Sequence, residues 1–233
     1  VLSRRQRQMC IRDSSTSAQA CSVTASQQSY SASANDNAGD FQRWREQLSM
    51  DEFKTLCHAR DDSKFTCAVL CSGGLICSQA AVRAGFQLIW GTEICPQHPD
   101  CDGICNCGNN DQQRMWIDLT GTPCLGNSFN NQSKYDATET PDYLTTGFPF
   151  PNYSRSGDHT GDTGSTGWMF VQQVALILRI KAKTIRLEMS DYAIEVNNGR
   201  EVRDVISQLS TIYNLYASII HVWQHGDISN RSR

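Results

Sequence analysis

Phe65-Thr66-Cys67-Ala68-Val69-Leu70-Cys71-Ser72-Gly73-Gly74 decides the fold: a short, largely apolar run that stops at a serine–glycine turn. A run of this length without polar alternation reads as a strand buried on both faces. Immediately downstream, Ile76, Ala80, Ala81 and Val82 fall at helical spacing, Gly85 ends the helix, and Phe86–Trp90 begins a second apolar run. Strand, glycine turn, helix and strand make a βαβ unit, which implies a parallel sheet.

Working outward, Met115-Trp116-Ile117 reads as a third strand ending in Asp118, and residues 119 to 140 as a polar, turn-rich loop. Asp142-Tyr143-Leu144-Thr145-Thr146 reads as a fourth strand running into Gly147-Phe148-Pro149. Gly157 to Gly167 is a Gly/Asp/Thr/Ser loop without periodicity, expected to be mobile. Trp168 to Ile180 is apolar on most of its surface, the pattern of a well-buried helix. Thr184–Met189 is strand-like. Asn197-Asn198-Gly199 is expected to cap a helix whose Val202, Val205, Ile206, Leu209 and Ile212 share one face. Ser218–Trp223 is a further strand. At least six strands with intervening helices predict a doubly wound, mostly parallel α/β sheet. Upstream, Phe41, Trp44 and Leu48, then Phe53 and Leu56, predict one or two short amphipathic helices.

Residues 1–39 are rich in Ser, Gln, Ala and Asn and carry almost no large apolar side chains, so disorder is expected there. Met9-Cys10-Ile11-Arg12-Asp13-Ser14 resembles translated sequencing-adapter DNA, and the first fourteen residues read equally as a native tail or as an artefact of assembly. The folded domain is therefore placed at 40–233. A net charge of −3 gives no overall basic field to attract nucleic acid, so a DNA-binding role needs a local basic surface. No apolar stretch reaches the length of a membrane span, and no signal peptide is visible. The eleven cysteines lack a regular small-scaffold spacing and read as reduced thiols.

Ligands of such sheets bind beyond the C-terminal strand ends. That rule selects the turn after Leu70 (Cys71, Ser72, Gly73, Gly74), then Glu93 with Ile94, Asp118 with Leu119, and the Gly147–Ser154 segment. Glycine lets backbone approach a ligand closely, and an acid after the second strand can accept both hydrogen bonds of a ribose diol. The pattern suits an adenosine cofactor. Spacing alone does not separate a nicotinamide cofactor from S-adenosylmethionine, although the full GxGxxG phosphate pattern is missing. A glycine turn needed only for packing competes when the turn is judged alone. Separately, Cys95, His98, Cys101, Cys105 and Cys107 offer five soft ligands within thirteen residues. Zinc takes four such ligands, but the irregular spacing lacks paired Cys-x-x-Cys knuckles and suits a thiol-rich surface loop better, so no metal is expected. His159 and His225 stand alone, and Trp168 and Trp223 are placed in core elements.

Six segments in order carry a resemblance to the cytosine-5-specific DNA methyltransferases. Phe65–Phe86 looks like that family's first, cofactor-binding motif; Thr92-Glu93-Ile94 and Ile117-Asp118-Leu119-Thr120 look like its second and third. Pro141–Ser154 resembles the segment that normally reads Gly-x-Pro-Cys-Gln-x-x-Ser. Leu187-Glu188-Met189 stands where the family has Glu-Asn-Val, and Ser229-Asn230-Arg231-Ser232-Arg233 resembles Gln-x-Arg-x-Arg. The resemblance spans about 170 residues and implies a Rossmann-like S-adenosylmethionine-dependent methyltransferase fold. It also implies double-stranded DNA with a flipped cytosine as substrate, a role in DNA methylation or restriction-modification, a monomer, no membrane, and a cytoplasmic location of prokaryotic or phage type, nucleoid-associated if active. Cofactor contacts would come from Leu70 to Gly74, Glu93, Ile94, Asp118, Leu119 and Pro149. Glu188 would hold the base, with Arg231 and Arg233 fixing it and its backbone.

The departures matter as much. The family's nucleophilic cysteine follows the proline; here Phe150 follows Pro149, and phenylalanine offers no nucleophile. One base separates the two codons, so native substitution and a misread codon both stay open. Cys124 in Thr122-Pro123-Cys124 also presents a Pro-Cys pair, but in the loop after Asp118, away from the fourth strand. Met189-Ser190 replaces Asn-Val, Ser229 replaces Gln, and the glycine turn has two extra residues before Ala84-Gly85-Phe86. The sequence stops inside the arginine motif, so the expectation is the front part of a catalytic domain without its target-recognition domain, inactive as written. The alternative is a non-catalytic module binding S-adenosylmethionine or DNA. A nucleotide-dependent oxidoreductase or a zinc-stabilised interaction domain accounts less well for Pro149, Ser154, Glu188 and the paired arginines in that order.

Overall fold

The computed structural model describes residues 9–10, 48–73, 75–101, 103–107 and 110–219. In chain order the elements are β1 (Met9–Cys10), α1 (Met50–His58), β2 (Thr66–Leu70), α2 (Ile76–Arg83), β3 (Gln87–Gly91), α3 (Asp111–Thr120), β4 (Tyr143–Gly147), α4 (Trp168–Ile180), β5 (Thr184–Glu188), α5 (Arg200–Leu209) and β6 (Tyr216–Ala217). The chain divides into two units, Leu48–Val205 and Val1–Gln47 with Ile206–Arg233. In the second, β1 pairs antiparallel with β6, so two residues of the tail expected to be disordered are paired. The strand expected at Ser218–Trp223 is not formed at Ser218 and Ile219, β6 ending just before them at Ala217; residues 220–223 and the Phe41 and Trp44 positions lie outside the described residues.

The first unit is built on a four-stranded sheet in the order β3-β2-β4-β5, parallel throughout. This is the parallel α/β class that the βαβ unit predicts, and it agrees with the Rossmann-like fold that the resemblance implies. Cys67 and Val69 of β2 join Phe53 and Cys57 of α1, Ala81 and Val82 of α2 and Trp116 of α3 in one core. Side chains alternate along a strand, so Ala68 and Leu70, both buried, face the other side. There Phe148, just past β4, stacks on Phe170 of α4 with ring centroids 5.1 Å apart. Helices therefore cover both faces.

A β-bulge modifies β3. Leu88 pairs with Cys67 but Trp90 pairs with Ala68, so Ile89 is an extra residue on that strand. An extra residue reverses which face the following side chains meet. Trp90 accordingly packs on Tyr135 (centroids 5.6 Å), while Gly91 turns to the α1–α3 side. A Cβ there would lie 2.3 Å from the Trp116 ring.

The third strand expected at Met115–Ile117 is instead part of helix α3. Its buried positions are Gln113, Trp116 and Thr120, spaced as one helical face, and a three-residue apolar run satisfies either period. The sheet of the described residues thus has four strands, fewer than expected. The Gly157–Gly167 loop is pinned by Asn152. The Asn152 amide nitrogen donates to Asp158 Oδ1 (2.8 Å) and Thr160 Oγ1 (3.0 Å), and Asn152 Oδ1 accepts from the Thr166 amide (2.9 Å). Asn197 and Asn198 do precede the last helix, both in the left-handed region at φ 46° and 54°. Of the face predicted for that helix, Val205 and Leu209 are buried, whereas Ile212 is exposed. Trp168 is largely exposed rather than core, meeting Phe129 edge-on.

Asp142 clamps three strand starts. One carboxylate oxygen accepts from the Thr66 amide (2.8 Å) and the other faces Lys183 Nζ (2.6 Å), while its carbonyl accepts from the Thr184 amide (2.8 Å). The Lys183 contact, then the Thr66 amide, holds this carboxyl below its ordinary range. A depressed folded-state pKa contributes stability above the unfolded value, about 3.9, which is lost as pH falls through the folded value. Asp142→Asn should therefore lower stability at neutral pH and flatten the acid limb below about pH 4. Urea midpoints at pH 7 and pH 3 check this, and an unchanged gap between the two proteins across that range would refute it.

Candidate active site

The C-terminal edge of the sheet gathers the cofactor candidates. Beyond β2 the turn takes positive φ at Cys71 (55°), Gly73 (50°) and Leu75 (63°), a conformation that costs side-chain-bearing residues and suits glycine. The turn is tied across to the end of β3. The Ser72 amide donates to the Thr92 carbonyl (2.9 Å), and the Cys71 amide to Thr92 Oγ1 (3.0 Å). Glu93, only 6% exposed, turns its carboxylate into the same turn. Oε2 accepts from the Gly73 amide (2.5 Å) and Ser72 Oγ (3.2 Å), and Oε1 accepts from the Ile94 amide (2.9 Å). Ser72, Gly73, Glu93 and Ile94 are thus one hydrogen-bonded group, with Cys71 beside it. Leu70 is buried within β2, and Gly74 lies outside the described residues.

Asp118 and Leu119 do not join this group. Asp118 is exposed near the C-terminal end of α3, a crossover helix that carries the chain back toward the opposite edge of the sheet. The segment after it makes the approach that the third strand was expected to make. The Gly91 amide donates to the Pro123 carbonyl (3.0 Å), the Leu125 amide to Gly91 (2.8 Å) and the Glu93 amide to Gly126 (3.0 Å). Gly91 and Cys124 form a parallel bridge. Residues 123–126 therefore run alongside β3 in the same direction, and their exit delivers Asn127 and Ser128, both buried. Ser128 Oγ lies within hydrogen-bonding distance of Cys71 Sγ (3.4 Å). Sequence reasoning missed this pair because Thr-Pro-Cys-Leu-Gly has a proline and a glycine where a strand signal should be.

Two thiols beside the site, Cys71 and Cys124, are held in the protonated form by burial. Burial pushes Cys71 up to about 11, with the Ser128 hydrogen bond opposing. Cys124, 6% exposed and packed in the core under β3, is also raised by burial. A buried, protonated thiol is a poor nucleophile.

Gly147 and Glu188 are register partners at the ends of β4 and β5, so the motif segment and the candidate base-holding acid leave the sheet side by side. A Cβ on Gly147 would sit 3.8 Å from Glu188 Oε2. Beyond Gly147, Phe148 is buried, Pro149 exposed and Phe150 half-buried, its ring edge-on to Phe148 with centroids 6.0 Å apart. Pro151–Tyr153 then forms a single 3-10 turn, which brings Asn152 to its contacts across the following loop. Arg231 and Arg233 lie outside the described residues. Of the five soft ligands, Cys95, His98, Cys105 and Cys107 converge, and Cys101 is not among them.

Among the described residues no helix is long and apolar enough to cross a membrane. No curated protein sequence matches the chain. Among solved structures the fold is similar to precorrin-6y C5,15-methyltransferase from Geobacter metallireducens GS-15. The identity is 12%, 81% of this chain and 87% of that chain are covered, and the TM-score is 0.38. That likeness is remote, and the sheet order carries the fold assignment by itself. The family model for C-5 cytosine-specific DNA methylase matches residues 121–233, the span that holds the Phe148–Pro149 motif, Glu188 and the arginine motif. Over those residues the chain is similar to the C-5 cytosine-specific DNA methylase family.

Proposed function

We propose that this protein is a cytosine-5 DNA methyltransferase chain that retains a cofactor site but lacks the covalent nucleophile. Phe150, at the position after Pro149 and beside the β4 and β5 exits, carries this reading. S-adenosylmethionine is the family's methyl donor and supplies an electrophilic methyl group when bound. The residues present fit it. A Cβ on Gly73 would meet nothing nearer than the Cys71 carbonyl at 4.0 Å, so the turn is bare there, and a buried carboxylate stands against it. Glu93 would exchange its Ser72 and Gly73 contacts for the ribose hydroxyls. Asn127, rather than Asp118, would serve the adenine from the neighbouring strand exit. Glu188 would hold N3 of a cytosine flipped out of duplex DNA, and Arg231 and Arg233 would fix the base and its backbone. The folded monomer begins near residue 40.

A second reading, a non-catalytic module that binds cofactor or DNA, is favoured by one observation. Neither Cys71 nor Cys124 is a thiolate that could replace the missing one.

Calorimetry tests the cofactor site without requiring turnover. The protein should bind S-adenosylmethionine, and Glu93→Ala should weaken binding about ten- to a hundredfold, the scale of 1.5–3 kcal/mol for hydrogen bonds to a charged group. Asn127→Ala should also weaken it, while Asp118→Ala should leave it unchanged. Loss on Asp118→Ala equal to that on Glu93→Ala, or no binding by folded protein, would overturn the assignment.

A further inference from the structure

We propose that Cys95, His98, Cys105 and Cys107 form a structural zinc site that fixes the loop following Glu93. Their ligand atoms all lie within 4.8 Å of one another. Cys95 Sγ and Cys107 Sγ are 3.2 Å apart, and Cys105 Sγ is 3.3 Å from His98 Nδ1. Four ligands at about 2.3 Å (sulfur) and 2.0 Å (nitrogen) from a tetrahedral zinc stand roughly 3.5–3.8 Å from one another. The Cys95–Cys107 and Cys105–His98 pairs fall slightly inside that spacing and every other pair lies within 4.8 Å, so small side-chain adjustments would seat a zinc ion, and the Cys95–Cys107 sulfurs are well beyond the roughly 2.05 Å of a disulfide. Three sulfurs and one imidazole nitrogen make a Cys3His set, which selects zinc over hard cations such as magnesium or calcium.

The surroundings are those of a held site rather than a loose thiol-rich loop. Cys95 is 1% and Cys105 4% exposed, although the described residues from Cys95 to Cys107 form no helix or strand. The Cys107 amide donates to Cys105 Sγ at 3.5 Å, the kind of outer contact that stabilises a ligating thiolate. Gln113, fully buried on α3, accepts from the Cys105 amide (2.9 Å) and donates to the carbonyls of Glu93 (2.9 Å) and Gly103 (3.2 Å). Asn110 adds a hydrogen bond from its side-chain amide to the Cys105 carbonyl. The loop is tied by polar groups to the end of β3 and to α3, with four ligand side chains turned together. Cys95 follows Glu93 by two residues, so the metal would anchor the loop at the cofactor end of the sheet. The irregular spacing that argued against zinc reflects a site closed by a folded loop instead of by paired knuckles.

Zinc displaces thiol protons on binding, and no redox change is involved. Protein expressed in zinc-supplemented medium should carry about one zinc per chain by elemental analysis. After chelation, cobalt(II) should give thiolate charge-transfer and tetrahedral d–d absorption. Cys95→Ser and Cys107→Ser should each reduce bound zinc to background, whereas Cys101→Ser should retain it. Should the serine variants not fold, the cobalt spectrum of the unaltered protein decides by itself. Absence of zinc, a Cys95–Cys107 disulfide found by mass spectrometry of alkylated protein, or loss of metal on Cys101→Ser as complete as on Cys95→Ser would overturn the proposal.

Discussion

Incubated with duplex DNA and labelled S-adenosylmethionine, the Phe150 protein is expected to transfer no methyl group and to form no covalent adduct with 5-fluorocytosine DNA. The family chemistry requires a thiolate to attack C6 of the flipped base, making C5 nucleophilic enough to accept the methyl group. Phe150 supplies none, and on the proposed reading its half-buried ring would stand in the way of the base. The surroundings offer no substitute. Ser154 Oγ lies 3.2 Å from the Pro151 carbonyl, to which it donates, with no general base shown beside it. Cys71 and Cys124 are held protonated by burial. Losing the covalent step should cost at least about 10⁴ in rate, or 5–6 kcal/mol of barrier, which places the protein at background. Phe150→Cys, made in a chain that includes a target-recognition segment, should restore both methylation and the 5-fluorocytosine adduct. Glu188→Gln in that chain should abolish methylation again. Methylation by the Phe150 protein itself would show that position 150 has been misassigned, and Cys124→Ser would then be the variant to make.

How legible all this was depended on local signals. The β2–α2–β3 unit announced itself because an uninterrupted apolar run, a glycine turn and a helical repeat agree on one structure. The position of Glu93 just past β3 was legible for the same reason, since it follows the second run directly. Asp118 was not, because Met115-Trp116-Ile117 is too short to reveal its period and the chain segment beside β3 hides behind Pro123 and Gly126. Asn127 and Ser128 enter the site only through backbone hydrogen bonds from residues 123–126 to β3, which no sequence pattern states. The same holds for Asn152. Its hydrogen bonds order a loop whose composition alone suggested mobility. The cysteine cluster was visible as composition, but which four of its five side chains converge is set by the fold of the loop and not by their spacing.

The bulge in β3 and the helical state of Met115–Ile117 are tested together by one thermodynamic cycle. Because Ile89 is the extra residue, Gly91 faces α3, and Trp116 fills the space where its side chain would be. Trp116 is 0% exposed, and its indole nitrogen donates to Thr122 Oγ1 at 3.1 Å, so the ring has no free direction in which to retreat. Gly91→Ala should therefore destabilise the protein by about 1–3 kcal/mol through overpacking. Trp116→Ala should cost about 3–5 kcal/mol, a large part of the 5–15 kcal/mol that folded domains possess. The two effects should not add. With the indole removed, the methyl group added at position 91 enters vacated space, and Gly91→Ala should become neutral or stabilising in the Trp116→Ala background. That coupling, of the order of 1–3 kcal/mol, is the mark of direct contact. Were Met115–Ile117 a strand in the sheet, Gly91 and Trp116 would have no reason to meet across its face. Urea unfolding of the four proteins measures the cycle, and strict additivity would remove the contact and with it the register of β3.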